Sequence, residues 1–230
     1  MTIRDQYLRV REQVDEAAVR AGRDPREIRL MAVTKTVEEA LILEAIAAGA
    51  DLLGENKVQE LDRKRKNLPS GHYELHLIGH LQSNKAARAA ACADMVQSVD
   101  SVRLAGVLSG CCVRLGKQMP VLLEVNIGGD PAKFGFAPEE TEAALGEIGQ
   151  MPGVKVRGLM AIPPILENSR ETAINFSNMR KLFLDFRRKN MDNISMDILS
   201  MGMSGDFACA IAEGSTLVRV GTAIFGRRTV

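Results

Sequence analysis

The feature that most restricts this chain is a regular alternation of short apolar runs with longer amphipathic stretches, sustained along its whole length. After an amphipathic opening at residues 4–21, strand-like runs occur at 28–33, 51–53, 75–78, 95–97, 121–126, 156–161, 197–200 and 217–220. Helical periodicity fills the intervals at 37–48, 83–93, 101–115, 138–150, 170–189 and 204–213, and Gly49 closes the first of these. Strands separated by helices pair in parallel. Eight such units with no spare strand predict closure into a single (β/α)8 TIM barrel, preceded by an extra N-terminal helix. A doubly wound open sheet is the alternative that periodicity leaves open, but no GxGxxG follows the first strand.

The chain has 230 residues, 46% of them hydrophobic, enough for one large core, so a single domain over 1–230 is expected. Pro and Gly fall at unit junctions, at 69–71, at 128–131 and at Pro163 and Pro164, and form no linker. Thirty basic against 29 acidic residues leave a net charge of +1, too little to recruit nucleic acid or an anionic membrane. No run reaches the ~18–20 apolar residues of a membrane span, and the charged start lacks the apolar core of a signal peptide, so a cytoplasmic location is expected. Cys92, Cys111, Cys112 and Cys209 show no CxxC spacing, and adjacent cysteines suit disulfide geometry poorly; they read as reduced, packed thiols.

In parallel barrels the chemistry gathers at the C-terminal ends of the strands, and phosphate is commonly held by the last two loops. Lys35 falls where the first strand ends. A solvated loop lysine is the bland reading of that position; partial desolvation at the rim would instead lower its pKa and free the amine for a carbonyl. In the last two units Ser204, Gly221 and Thr222 sit where a strand gives way to a helix. Their hydroxyls and the backbone N–H groups could cradle a phosphate dianion, although each alone is also ordinary helix capping.

Other constellations carry less. His72, His76 and His80 are spaced by four, which suits metal ligation on a helix, but the local pattern is a strand, where each step is ~13 Å. His80, at the strand's C-terminal end, could reach a ligand; His76 reads as a packed core histidine. The basic run 63–66 lacks aromatic neighbours and reads as a solvated helix face. Met201 and Met203 read as packing of the rim.

The chain resembles the pyridoxal phosphate homeostasis proteins, single-domain relatives of the barrel half of bacterial alanine racemase. The segments that carry the resemblance are AVTKT at 32–36, GENKVQE at 54–60, HLIGHLQSNK at 76–85, VNI at 125–127, GLMAIP at 158–163, LSMGMS at 199–204 and VRVGTAIFG at 218–226. The resemblance implies an alanine racemase N-terminal-domain-like barrel of PLP fold type III and pyridoxal 5′-phosphate (PLP) as cofactor. It further implies a Schiff base on Lys35, phosphate contacts from Ser204, Gly221 and Thr222, Arg219 near the pyridine nitrogen, and Asn56 lining the cofactor. Leu75, Lys57 and Phe134 depart from the family's usual residues, the last in a loop at the rim.

An arginine beside the pyridine nitrogen keeps that nitrogen unprotonated and weakens the ring as an electron sink. Racemisation also calls for a second base opposite the lysine, a tyrosine in the racemases. The two tyrosines here, Tyr7 and Tyr73, fall in the first helix and before the third strand, away from the mouth. The resulting expectation is a monomeric protein that holds PLP and passes it to apo-enzymes. A PLP-dependent racemase or lyase is the alternative, and a cofactor-free Schiff-base aldolase a third.

Overall fold

In the computed structural model, which describes residues 1–163, 169–189 and 191–226, eight parallel strands close into a barrel in chain order. They are β1 (Arg29–Val33), β2 (Leu52–Glu55), β3 (Glu74–Leu77), β4 (Met95–Val99), β5 (Met119–Glu124), β6 (Val154–Met160), β7 (Ile194–Ser200) and β8 (Leu217–Val220). Pairing of Met31 with Arg219 and of Ala32 with Val220 closes the ring between β1 and β8. All eight strands read from the sequence are present. Pro164 lies outside the described residues.

The helices are α1 (Ile3–Arg20), α2 (Glu39–Ala47), α3 (Val58–Asn67), α4 (Ala86–Cys92), α5 (Val102–Arg114), α6 (Thr141–Gly149), α7 (Ser169–Arg188), α8 (Phe207–Ala212) and α9 (Thr222–Phe225). α1 begins with a capping box, in which the Thr2 hydroxyl accepts from Asp5 N–H and the Asp5 carboxylate from Thr2 N–H. Its buried residues Ile3, Tyr7, Val10, Val14, Ala17 and Ala18 follow the helical period and pack on α2, α8 and α9. Tyr7 Oη donates to Gly49 O at 3.2 Å, and Arg23 NH1 to Ile211 O at 2.9 Å and Ser215 O at 2.6 Å. The extra helix is thereby bonded into the outer ring.

Side chains alternate between two cores. Leu30, Ala32, Leu53, Leu75, Leu77, Val96, Val121, Leu123, Leu159, Val218 and Val220 face the helices. Met31, Val33, Leu52, Ile78 and Leu217 fill one part of the barrel interior, and Met95, Leu122 and Met160 another. Gly54 is small because a Cβ there would come within 2.5 Å of Met31 Sδ. Between the two apolar clusters runs a buried polar layer of His76, Gln97, Ser200 and Arg219.

Two expectations need correction. Residues 204–206 are a turn and not the start of a helix: Asp206 Oδ1 accepts from Met203 N–H at 2.5 Å, and α8 begins only at Phe207. The run 63–66 is not wholly solvated. Lys64 is completely buried because it shares a face of α3 with Leu61 and Val58, three and six residues back, and with Leu68 beyond the helix end.

Candidate functional site

A cavity of about 610 Å³ opens at the C-terminal ends of the strands. Its walls include Lys35, Asn56, Ser204, Arg219, Gly221 and Thr222, so the six residues expected to line a cofactor meet there. His80 also lines it. Tyr7 and Tyr73 do not.

Lys35 is exposed, and the backbone on either side of it is tightly held. Lys64 Nζ reaches Thr34 O at 2.6 Å, Glu55 Oε1 at 2.6 Å and Glu60 Oε1 at 3.1 Å. Thr34 Oγ1 donates to the same Glu55 oxygen at 2.5 Å, and Thr36 N–H donates to Glu60 Oε1 at 2.6 Å. Thr36 has φ 57°, a left-handed conformation costly for a β-branched residue. The hydrogen bond from its N–H offsets that cost and turns the chain at the lysine. Burial pushes the Glu55 carboxyl above its ordinary range, against the opposing pull of Lys64.

Arg219, 3% exposed, projects from β8 into the barrel. Its NH1 donates to Ser200 O at 2.8 Å and Ser200 Oγ at 2.7 Å, and NH2 to Ala161 O at 2.8 Å. Burial lowers its pKa to about 10, which leaves it a cation at neutral pH. Among the described residues no ion pair joins it to a carboxylate.

Ser204 joins the last two loops. Its Oγ accepts from Gly221 N–H at 3.3 Å and Ala223 N–H at 3.5 Å, leaving its own proton to donate into the cavity. Thr222, exposed, begins the short α9 beside it. Small residues and N–H donors therefore stand at one wall and an amine at another, with a buried guanidinium on the floor; an anionic aldehyde fits these donors.

At the rim, Phe134 stacks on His80 with ring centroids 3.7 Å apart and planes 10° from parallel. His80 Nδ1 lies 2.7 Å from Asp100 Oδ2, which orients the ring. Lys133 Nζ reaches Pro163 O at 3.1 Å and so ties the Phe134 loop to the segment after β6. His76 is the packed core histidine expected, hydrogen-bonded to Glu74 at 2.8 Å and Gln97 at 3.0 Å, whereas His72 is exposed. Met201 is buried, while Met203 lines the cavity.

Sequence reasoning missed Glu55, Lys64, Gln97, Ser200 and Glu124 as members or supports of this site. Their signal was a polar residue inside an apolar run, or, for Lys64, a charge on the apolar stripe of a helix.

Comparison with known proteins agrees with this geometry. The family model of the alanine racemase N-terminal domain matches residues 9–229. A pyridoxal phosphate homeostasis protein of Pseudomonas aeruginosa is 41% identical, covering 99% of this chain and 96% of that protein. One from Aquifex aeolicus is 38% identical, covering 97% of each. PipY of Synechococcus elongatus, solved with PLP bound, superposes with a TM-score of 0.84 at 35% identity, covering 98% of this chain and 100% of that one.

Proposed function

We propose, because this chain belongs to the pyridoxal phosphate homeostasis proteins of the alanine racemase N-terminal domain family, that it binds PLP and serves to keep and deliver it inside the cell. The observation that carries the reading is the meeting of Lys35, Arg219 and the Ser204–Gly221–Thr222 turn in one cavity. When bound there, PLP supplies an aldehyde that bonds reversibly to a primary amine. Lys35 is the amine that takes it as a Schiff base. Ser204 Oγ and Thr222 would hold the phosphate, with Gly221 allowing its close approach, and Asn56 lines the cavity wall. Arg219, cationic and fixed by three hydrogen bonds, would lie at the ring nitrogen and would favour its unprotonated form.

That arrangement favours holding over turnover, since an unprotonated ring stabilises negative charge poorly. The whole of 1–230 acts as one PLP-binding unit, monomeric and cytoplasmic, where its free cysteines stay reduced. Client enzymes lacking cofactor are its partners.

The test is transfer: loaded, desalted protein is mixed with a PLP-dependent apo-enzyme and recovered activity is followed. Wild type restores activity and Lys35→Ala does not. Equal transfer by Lys35→Ala, or robust Lys35-dependent racemisation of a single amino-acid enantiomer, would overturn the reading.

A further inference from the structure

Glu124 ends β5, which lies four strands from β1 in either direction around the closed barrel. It therefore stands across the mouth from Lys35, and both line the same cavity. Its main chain is fixed, since Glu124 O accepts from Phe136 N–H at 2.8 Å and the residue pairs with Met160. The residue is only 8% exposed, yet among the described residues its carboxyl has no hydrogen-bond or ion-pair partner. Arg219 makes no hydrogen bond to it: the guanidinium bonds go to Ser200 and Ala161, and Arg219 acts on Glu124 through its charge. The carboxyl lines the cavity, where a donor entering from outside can reach it.

We propose that Glu124 is the receiving group for a primary amine that enters the cavity, binding its ammonium end and taking one proton from it. This rests on the reading of Lys35 as the holder of an aldehyde, because only an unprotonated amine can compete for that carbon. The exchange is balanced: R–NH3⁺ and the Glu124 carboxylate become R–NH2 and the Glu124 carboxylic acid, with the amine's lone pair freed.

The surroundings suit that role. Asp100, after β4, adds negative potential; Arg219, on β8, opposes it; His80, after β3, is engaged with Asp100 and stacked on Phe134; Lys35 faces from β1. Burial and Asp100 together raise the Glu124 pKa to about 7, so both protonation states are populated near neutrality. Ile162 and Phe134, exposed at the rim, offer apolar surface to the carbon chain of the amine.

The experiment uses cofactor-free protein with carboxyl-labelled glutamate, followed by carbon NMR, the Glu124 signal being identified by its loss in Glu124→Gln and its displacement in Glu124→Asp. The expected midpoint is about 7, lowered by propylamine but not by tetramethylammonium, which carries charge without a proton to give. Alanine and a lysine-containing peptide then distinguish a free amino acid from a protein lysine as the source of the amine. In loaded protein, amine-driven loss of cofactor slows roughly 100-fold in Glu124→Gln, and the wild-type inflection near neutrality disappears. A midpoint near 4.5 with no response to amines, or an unchanged rate and inflection in the variant, overturns the proposal. Failure of wild type to retain PLP while Glu124 still answers to amines would instead count against Lys35.

Discussion

Arg219 is bonded twice to Ser200, through the carbonyl at 2.8 Å and the hydroxyl at 2.7 Å, and that pair begins a polar chain through the barrel. Ser200 Oγ donates to Gln97 Oε1 at 2.7 Å, and the other end of the Gln97 amide meets His76 Nδ1 at 3.0 Å. His76 Nε2 meets Glu74 at 2.8 Å, and Glu74 meets Arg29 at 3.1 Å on the opposite rim. With Gln97 donating, the histidine carries its proton on Nε2 and the bonds run in one direction from Arg219 to Glu74, which also accepts from Arg29 on its other side. Burial lowers the His76 pKa and keeps the ring neutral.

Gln97→Leu breaks this chain in the middle and leaves the hydroxyl proton of Ser200 and His76 Nδ1 buried without partners. A loss of about 1–3 kcal/mol in urea unfolding is expected, together with weaker PLP binding because Arg219 loses its support. Unchanged stability would mean that the layer contributes little.

Lys64 and Glu55 form a buried pair behind Lys35. Lys64→Met strands the Glu55 carboxyl and should cost about 3–5 kcal/mol, whereas the double variant Lys64→Met, Glu55→Leu recovers most of that loss. Denaturant unfolding of the two singles and the double checks the coupling; simple additivity would contradict it.

Thr36→Gly removes a β-branched residue from the left-handed region. Thermal unfolding should show a gain of roughly 1 kcal/mol, reduced by the greater freedom of glycine in the unfolded chain.

The hydrogen bonds from His76 and Arg29 hold Glu74 at about 2, against its ordinary 4.5. The folded state therefore binds fewer protons than the unfolded one between those values. The stabilisation is complete above about 4.5 and is lost as pH falls through about 2. Glu74→Gln should flatten that part of the stability profile, as measured by urea unfolding at successive pH values.

The strand and helix order was legible because each strand buried on both faces is an apolar run and each covering helix an apolar stripe. Lys35, Ser204, Gly221 and Thr222 were legible because barrel topology sends strand ends to one rim. What escaped was pairing across the interior. Gln97 and Ser200 lie 103 residues apart, and no local pattern announces that their side chains bond. Lys64 was hidden by its neighbours, since a run of four basic residues reads as solvated unless its helical phase is followed. A search confined to tyrosine as the group opposite Lys35 passed over Glu124.

The most direct measurement of the central claim is borohydride reduction of PLP-loaded protein followed by peptide mass mapping. The account predicts one reduced pyridoxyl adduct, on Lys35, and loss of the visible band in Lys35→Ala. An adduct confined to another lysine, or PLP retained without any adduct, would contradict it.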